Sequence, residues 1–136
     1  MTLKERLPHI LVIDQSPDIR QVMHEFLGEE GYMVSAKAQL ADDLSDIIQL
    51  NPDLIIIDCA FGSGGDHQSM LDQLRRDGPA REIPVILCTT EVRAVKDQQD
   101  YLEELGVPVV AKPFDLDILL DAIGAMLADR RSAPLT

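Results

Sequence analysis

Five short apolar runs recur along the chain. Each is separated from the next by a stretch whose apolar residues return at helical spacing. The clearest runs are His9–Ile13, residues 54–57 (Leu-Ile-Ile-Ile) and residues 84–88 (Pro-Val-Ile-Leu-Cys). Residues 32–36 and 107–111 are weaker, half-apolar versions. Runs that are apolar on consecutive residues suit strands covered on both faces, as in a parallel sheet. In the first intervening stretch Ile19, Val22, Met23, Phe26 and Leu27 fall on one helical face. Ser16 is placed to cap that helix, Pro17 to open it and Gly31 to stop it. Leu40, Leu44, Ile47 and Ile48 predict a second helix ending near Asn51-Pro52, and a weakly amphipathic third covers 68–77 until Asp77-Gly78-Pro79 breaks it. A fourth spans about 91–105, with Val92, Val95, Leu102 and Leu105 inward. A fifth spans about 115–129, with Leu116, Leu119, Leu120, Ile123, Met126 and Leu127 inward. Strand then helix, five times over with short connections, predicts an α/β fold: a doubly wound parallel sheet with helices on both faces.

Composition limits the function classes. The 136 residues suit one domain, expected over 1–136 with a core at about 8–128 and a frayed tail from 130 to 136. Twelve Lys and Arg stand against 24 Asp and Glu, a formal net charge of -12. Such a surface repels phosphate backbones, so direct nucleic-acid binding is not expected. No apolar stretch is long enough to span a bilayer, and residues 10–13 are too short for a signal-peptide core. Cys59 and Cys88 close apolar runs at a spacing that suits no zinc motif, and read as small buried hydrophobes of a reduced, cytoplasmic protein.

In doubly wound sheets ligand chemistry collects beyond the carboxyl ends of the strands. There the chain has Asp14-Gln15 after the first run, Asp58 after the third, Thr89-Thr90 after the fourth and Lys112-Pro113-Phe114 after the fifth. Two carboxylates, a hydroxyl and an ammonium would converge on one edge, a set suited to phosphoryl transfer. Asp58 can attack phosphorus and form an acyl phosphate. A divalent cation held by carboxylates offsets the charge of the phosphoryl group. Lys112 can pair with one phosphoryl oxygen and Thr89 donate to another. Each residue also has a plain reading: Asp14 and Asp58 as solvated turn acids, Thr89 or Thr90 as a helix cap, Lys112 as a surface lysine.

Four ordered segments carry a family resemblance: 10–20 (Ile-Leu-Val-Ile-Asp-Gln-Ser-Pro-Asp-Ile-Arg), 52–58 (Pro-Asp-Leu-Ile-Ile-Ile-Asp), 83–89 (Ile-Pro-Val-Ile-Leu-Cys-Thr) and 111–114 (Ala-Lys-Pro-Phe). Together they resemble the receiver domain of two-component response regulators, of the chemotaxis-regulator kind, over about residues 8–128. The resemblance implies a flavodoxin-like sheet in the order 2-1-3-4-5. It implies Asp58 as phospho-acceptor, Thr89 as switch hydroxyl and Lys112 as the site lysine. Mg2+ would be held by Asp14, Asp58 and the Ala60 backbone carbonyl. Phosphate would come from a histidine kinase or phosphotransfer protein, and the output would be a downstream protein target or a self-dimer. The chain would be a phospho-acceptor at most, not a turnover enzyme.

Three departures mark the pocket as atypical. Such domains usually carry a second acid after the first strand, which ligates the metal; here Gln15 stands there. Its carbonyl can ligate but brings no charge, so Mg2+ binding is expected to be weak and phosphorylation slow or absent. The loop after Asp58 reads Cys-Ala-Phe-Gly-Ser-Gly-Gly-Asp through position 66, without the usual Met-Pro pair. Val109 occupies the place of the aromatic switch. A degenerate receiver, acting by protein contact without phosphorylation, is therefore the rival reading. A dehalogenase-like phosphatase would want an Asp where Ser16 stands. A flavin or dinucleotide fold would want glycines after Asp14, and Gly62-Ser-Gly-Gly65 lacks the Lys-Ser/Thr ending of a nucleotide loop. The chain reads as a lone receiver unit, either complete or cut from a larger regulator or hybrid kinase.

Overall fold

The computed structural model describes residues 7–38, 45–58, 76, 82–89, 100, 103–104, 106–111 and 116–132. Five parallel strands form one sheet: β1 (His9–Ile13), β2 (Met33–Lys37), β3 (Leu54–Asp58), β4 (Val85–Thr89) and β5 (Val109–Ala111), in the order β2-β1-β3-β4-β5. The described helices are α1 (Pro17–Glu29), α2 (Ser45–Leu50) and α3 (Leu116–Ser132). Of the expected third and fourth helices only Arg76, Asp100, Glu103 and Glu104 are described, all helical.

The pleat sends alternate residues to opposite faces. Ile10 and Val12 of β1, Leu54 and Ile56 of β3, Ile86 and Cys88 of β4 and Val110 of β5 form one cluster with Met23 and Leu27 of α1 and Leu119, Ile123 and Leu127 of α3. The intervening residues Leu11, Ile13, Ile55, Ile57, Val85 and Leu87 are buried as well, as is Ile47 of α2. Burial on both faces explains why the central runs are apolar at every position. Each such side chain contributes about 1.5–3 kcal/mol relative to exposure.

The helix ends follow from local chemistry. Ser16 is extended, and its Oγ accepts from the Ile19 amide at 3.3 Å, while Pro17 opens the helix where no N–H is needed. After Glu30, Gly31 turns at φ +95°, a conformation that lets Tyr32 N–H reach back to the Leu27 carbonyl at 3.1 Å. Asn51 takes the left-handed conformation after α2 (φ 46°), one of the few residues that tolerates it, and its amide donates to the Ile47 carbonyl at 2.9 Å.

At the amino end of the sheet β1 and β3 are locked together. Asp53 N–H donates to the His9 carbonyl at 2.7 Å, and His9 N–H donates to Asp53 Oδ2 at 2.8 Å. The His9 ring Nε2 shares a 2.7 Å hydrogen bond with the Ser35 hydroxyl on β2.

Three expectations are corrected. Val22 does not face inward: it is 48% exposed. It lies one step, about 100°, from Met23, outside the line of Met23 and Leu27 that meets the sheet. β5 begins only at Val109; before it, Pro108 has no N–H to give a ladder, although its carbonyl accepts from Leu87 N–H at 3.0 Å. The C-terminal helix continues past its expected end at Asp129 through Ser132; residues 133–136 of the tail expected to fray lie outside the described residues. Nothing in that stretch breaks a helix before Pro134.

Candidate functional site

Strand register assembles the site. Ile13 pairs with Ile57, so Asp14 and Asp58 are the next residues on neighbouring strands, about 4.8 Å apart in the pairing direction. Asp58 in turn pairs with Cys88, which sets Thr89 one residue further along β4. Thr89 pairs with Ala111, and Lys112 follows directly in sequence. Because all five strands are parallel, Asp14, Asp58 and Thr89 share the carboxyl edge of the sheet.

Asp14 is only 4% exposed and Thr89 is fully buried, the two buried polar residues among the described residues. Asp14 is held on three sides. Its amide donates to the Lys37 carbonyl of β2 at 3.0 Å, Oδ1 accepts from the Ser16 amide at 2.9 Å, and its carbonyl accepts from Arg20 Nη1 at 2.7 Å. The turn role and the site position are thus combined in one residue: the carboxylate shapes the loop into α1 while sitting at the strand edge. Gln15, next to it, is exposed.

The structure brings together Asp14, Thr89 and the backbone of Asp58. Lys112, the Ala60 carbonyl, Thr90, Cys59 and the loop after Asp58 lie outside the described residues. Cys88 is buried, as its place at the end of an apolar run implied. Sequence reasoning missed Arg20 and Lys37. Lys37 pairs with Ile13 at the same edge, and Arg20 reaches back six residues to Asp14. The available signal was the firm start of the helix at Ser16-Pro17, which puts Arg20 in the first turn.

Among the described residues no group of three or more His, Cys, Asp or Glu is gathered for a metal. A buried carboxylate at Asp14, with the backbone of a second acid, Asp58, level with it on the next strand, nevertheless fits a hard cation such as Mg2+, which takes one or two carboxylates and keeps its remaining waters.

A five-stranded parallel sheet in this order, with acids level at the ends of its first and third strands, defines a receiver-type module. Residues 10–124 match the sequence model of the response regulator receiver domain, and the chain belongs to that family. It is 29% identical over 121 residues to the DNA-binding dual master transcriptional regulator RpaA of Synechocystis sp., covering 89% of this chain and 49% of RpaA. It is 27% identical over 129 residues to protein PilH of Pseudomonas aeruginosa, covering 90% and 99%. The chain therefore spans about half of the former relative and nearly all of the latter. The chemotaxis protein CheY4 of Vibrio cholerae superposes with a TM-score of 0.72 at 23% identity, covering 89% and 99%, a likeness of fold. Among the described residues no helix is long and apolar enough to cross a membrane.

Proposed function

We propose that this receiver domain accepts a phosphoryl group on Asp58 from a histidine kinase or phosphotransfer protein. The observation that supports the reading is the register that sets Asp58 level with buried Asp14 and one residue from buried Thr89. The Asp58 carboxylate attacks phosphorus and the donor's leaving group departs, giving an acyl phosphate. The Thr89 hydroxyl donates to one phosphoryl oxygen and the Lys112 ammonium pairs with another. Asp14, Asp58 and the Ala60 carbonyl would hold Mg2+, which when bound supplies positive charge that offsets the phosphoryl oxygens. Gln15 ligates only through a neutral carbonyl, so phosphorylation is slow compared with a pocket of three acids.

The domain is a phospho-acceptor and not a turnover enzyme. Its output is a protein contact, with a downstream target or a second copy. The net charge of -12 disfavours direct nucleic-acid binding by this chain, and its two cysteines, at a spacing that suits no zinc motif, suit a reduced, cytoplasmic setting.

Intact mass after incubation with acetyl phosphate and Mg2+ tests the reading. The expected result is a gain of one PO3 unit that Asp58→Asn abolishes. No adduct, together with no beryllofluoride binding in Mg2+, would overturn it in favour of the phosphorylation-independent interaction module that the neutral Gln15 suggests.

A further inference from the structure

Arg20 sits in the first turn of α1, half-buried, with Nη1 2.7 Å from the Asp14 carbonyl. Four further hydrogen bonds at this loop are local or come from the sheet. Ser16 N–H holds Asp14 Oδ1, Ser16 Oγ caps Ile19 N–H, Arg20 N–H donates to the Ser16 carbonyl at 3.1 Å, and Asp14 N–H is paired with Lys37. The guanidinium, by contrast, runs from the helix back to the strand end by a long side chain. It closes a ring from Asp14 through Ser16 and the helix start to Arg20 and back to Asp14. A charge-assisted bond to a carbonyl is stronger and shorter than a neutral one, and this carbonyl belongs to the residue that directly follows β1.

We infer that Arg20 is a positioning residue for the cation pocket: by clamping the Asp14 carbonyl it fixes the angle at which the Asp14 carboxylate and the Gln15 side chain meet a divalent ion. The inference rests on the proposed role of Asp14 in holding Mg2+. It has a sign that separates it from simple electrostatics. A guanidinium near a cation site repels Mg2+, so if charge were its only influence, removing it would tighten binding. If it orders the loop, removing it weakens binding although a repulsive charge has gone. The pocket has one carboxylate fewer than its relatives usually carry, which makes the orientation of the remaining oxygens count for more.

The test is Mg2+ titration of the full chain followed by NMR, well below the unfolding temperature, for native protein, Arg20→Met and Arg20→Lys. Amide exchange at Ser16 is recorded in the metal-free proteins alongside. Arg20→Met is expected to bind Mg2+ about tenfold more weakly, at the lower end of what outer partners of metal ligands contribute. Its Ser16 amide is expected to exchange faster before any metal is added. Arg20→Lys, which keeps the charge and a donor, is expected to recover most of both. Native protein that saturates while Arg20→Met binds equally well or more tightly overturns this inference alone. Native protein that never saturates with Mg2+ overturns the reading of the site, and this inference with it.

Discussion

Replacing Gln15 by Asp restores a third charge to the pocket, and the structure bounds what it should do. Gln15 is exposed, whereas its neighbour Asp14 is 4% exposed and held by Ser16, Lys37 and Arg20. The new carboxylate therefore meets Mg2+ near the aqueous limit of screening rather than the interior one. A unit charge about 4 Å from a divalent ion then contributes about 2 kcal/mol, twice the single-charge figure, or roughly a 30-fold gain in affinity. The added acid also repels the neighbouring carboxylates at about 1 kcal/mol per close pair, with or without the metal, which lowers stability and does not subtract from the affinity. The expectation is a roughly 30-fold tighter Mg2+ complex, a metal-free protein slightly less stable than native, and faster adduct formation with acetyl phosphate. Calorimetric Mg2+ titration measures the first, thermal unfolding with and without Mg2+ the second. Gln15→Asn, which keeps a neutral carbonyl, should change affinity little. If Gln15→Asp binds Mg2+ no better than native, position 15 does not face the cation and the reasoning fails.

Four further outcomes are expected. Ile86→Ala, at a fully buried position of β4, should cost about 3–4 kcal/mol in urea unfolding. Ser16→Ala removes the cap of α1 and should cost about 1 kcal/mol; an unchanged urea midpoint would show that the cap is redundant. Gly31→Ala meets no neighbour within 4 Å but must hold φ +95°, so its cost, about 1–2 kcal/mol, is conformational. Thr89→Val removes the hydroxyl of a fully buried residue; it should cost about 1 kcal/mol of stability and slow adduct formation, and an unaltered rate would remove Thr89 from the proposed site.

The architecture was legible because burial on both faces leaves a signature in consecutive residues. Ile55, Ile56 and Ile57 cannot all be apolar on a strand with one wet face. The start of α1 was legible too, since Ser16 and Pro17 act within their own neighbourhood. Val22 was misplaced because a helical pattern gives the centre of an apolar face but not its width, which is set by how α1 lies on β1 and β2. The site residues could be named from strand ends, yet their alignment could not: Asp14 and Asp58 are level only through the pairing of Ile13 with Ile57. The helix start gave the place of Arg20 but not its bond, for a related reason. Residues six apart do not share a helical face, and its bond to Asp14 exists because the chain turns from strand into helix between them.

The lock at the foot of the sheet bears on how this domain can change. His9 and Asp53 grip each other at one end, and five-residue strands lead from there to the two acids. The clamp works as the zero mark of a ruler whose two scales must read alike. Adding one residue to either strand alone would shift its acid by about 3.3 Å and turn it to the opposite side of the sheet. Equal lengthening of both would raise the pair together. Drift in length can thus be absorbed by the loops, but in β1 and β3 only as matched changes.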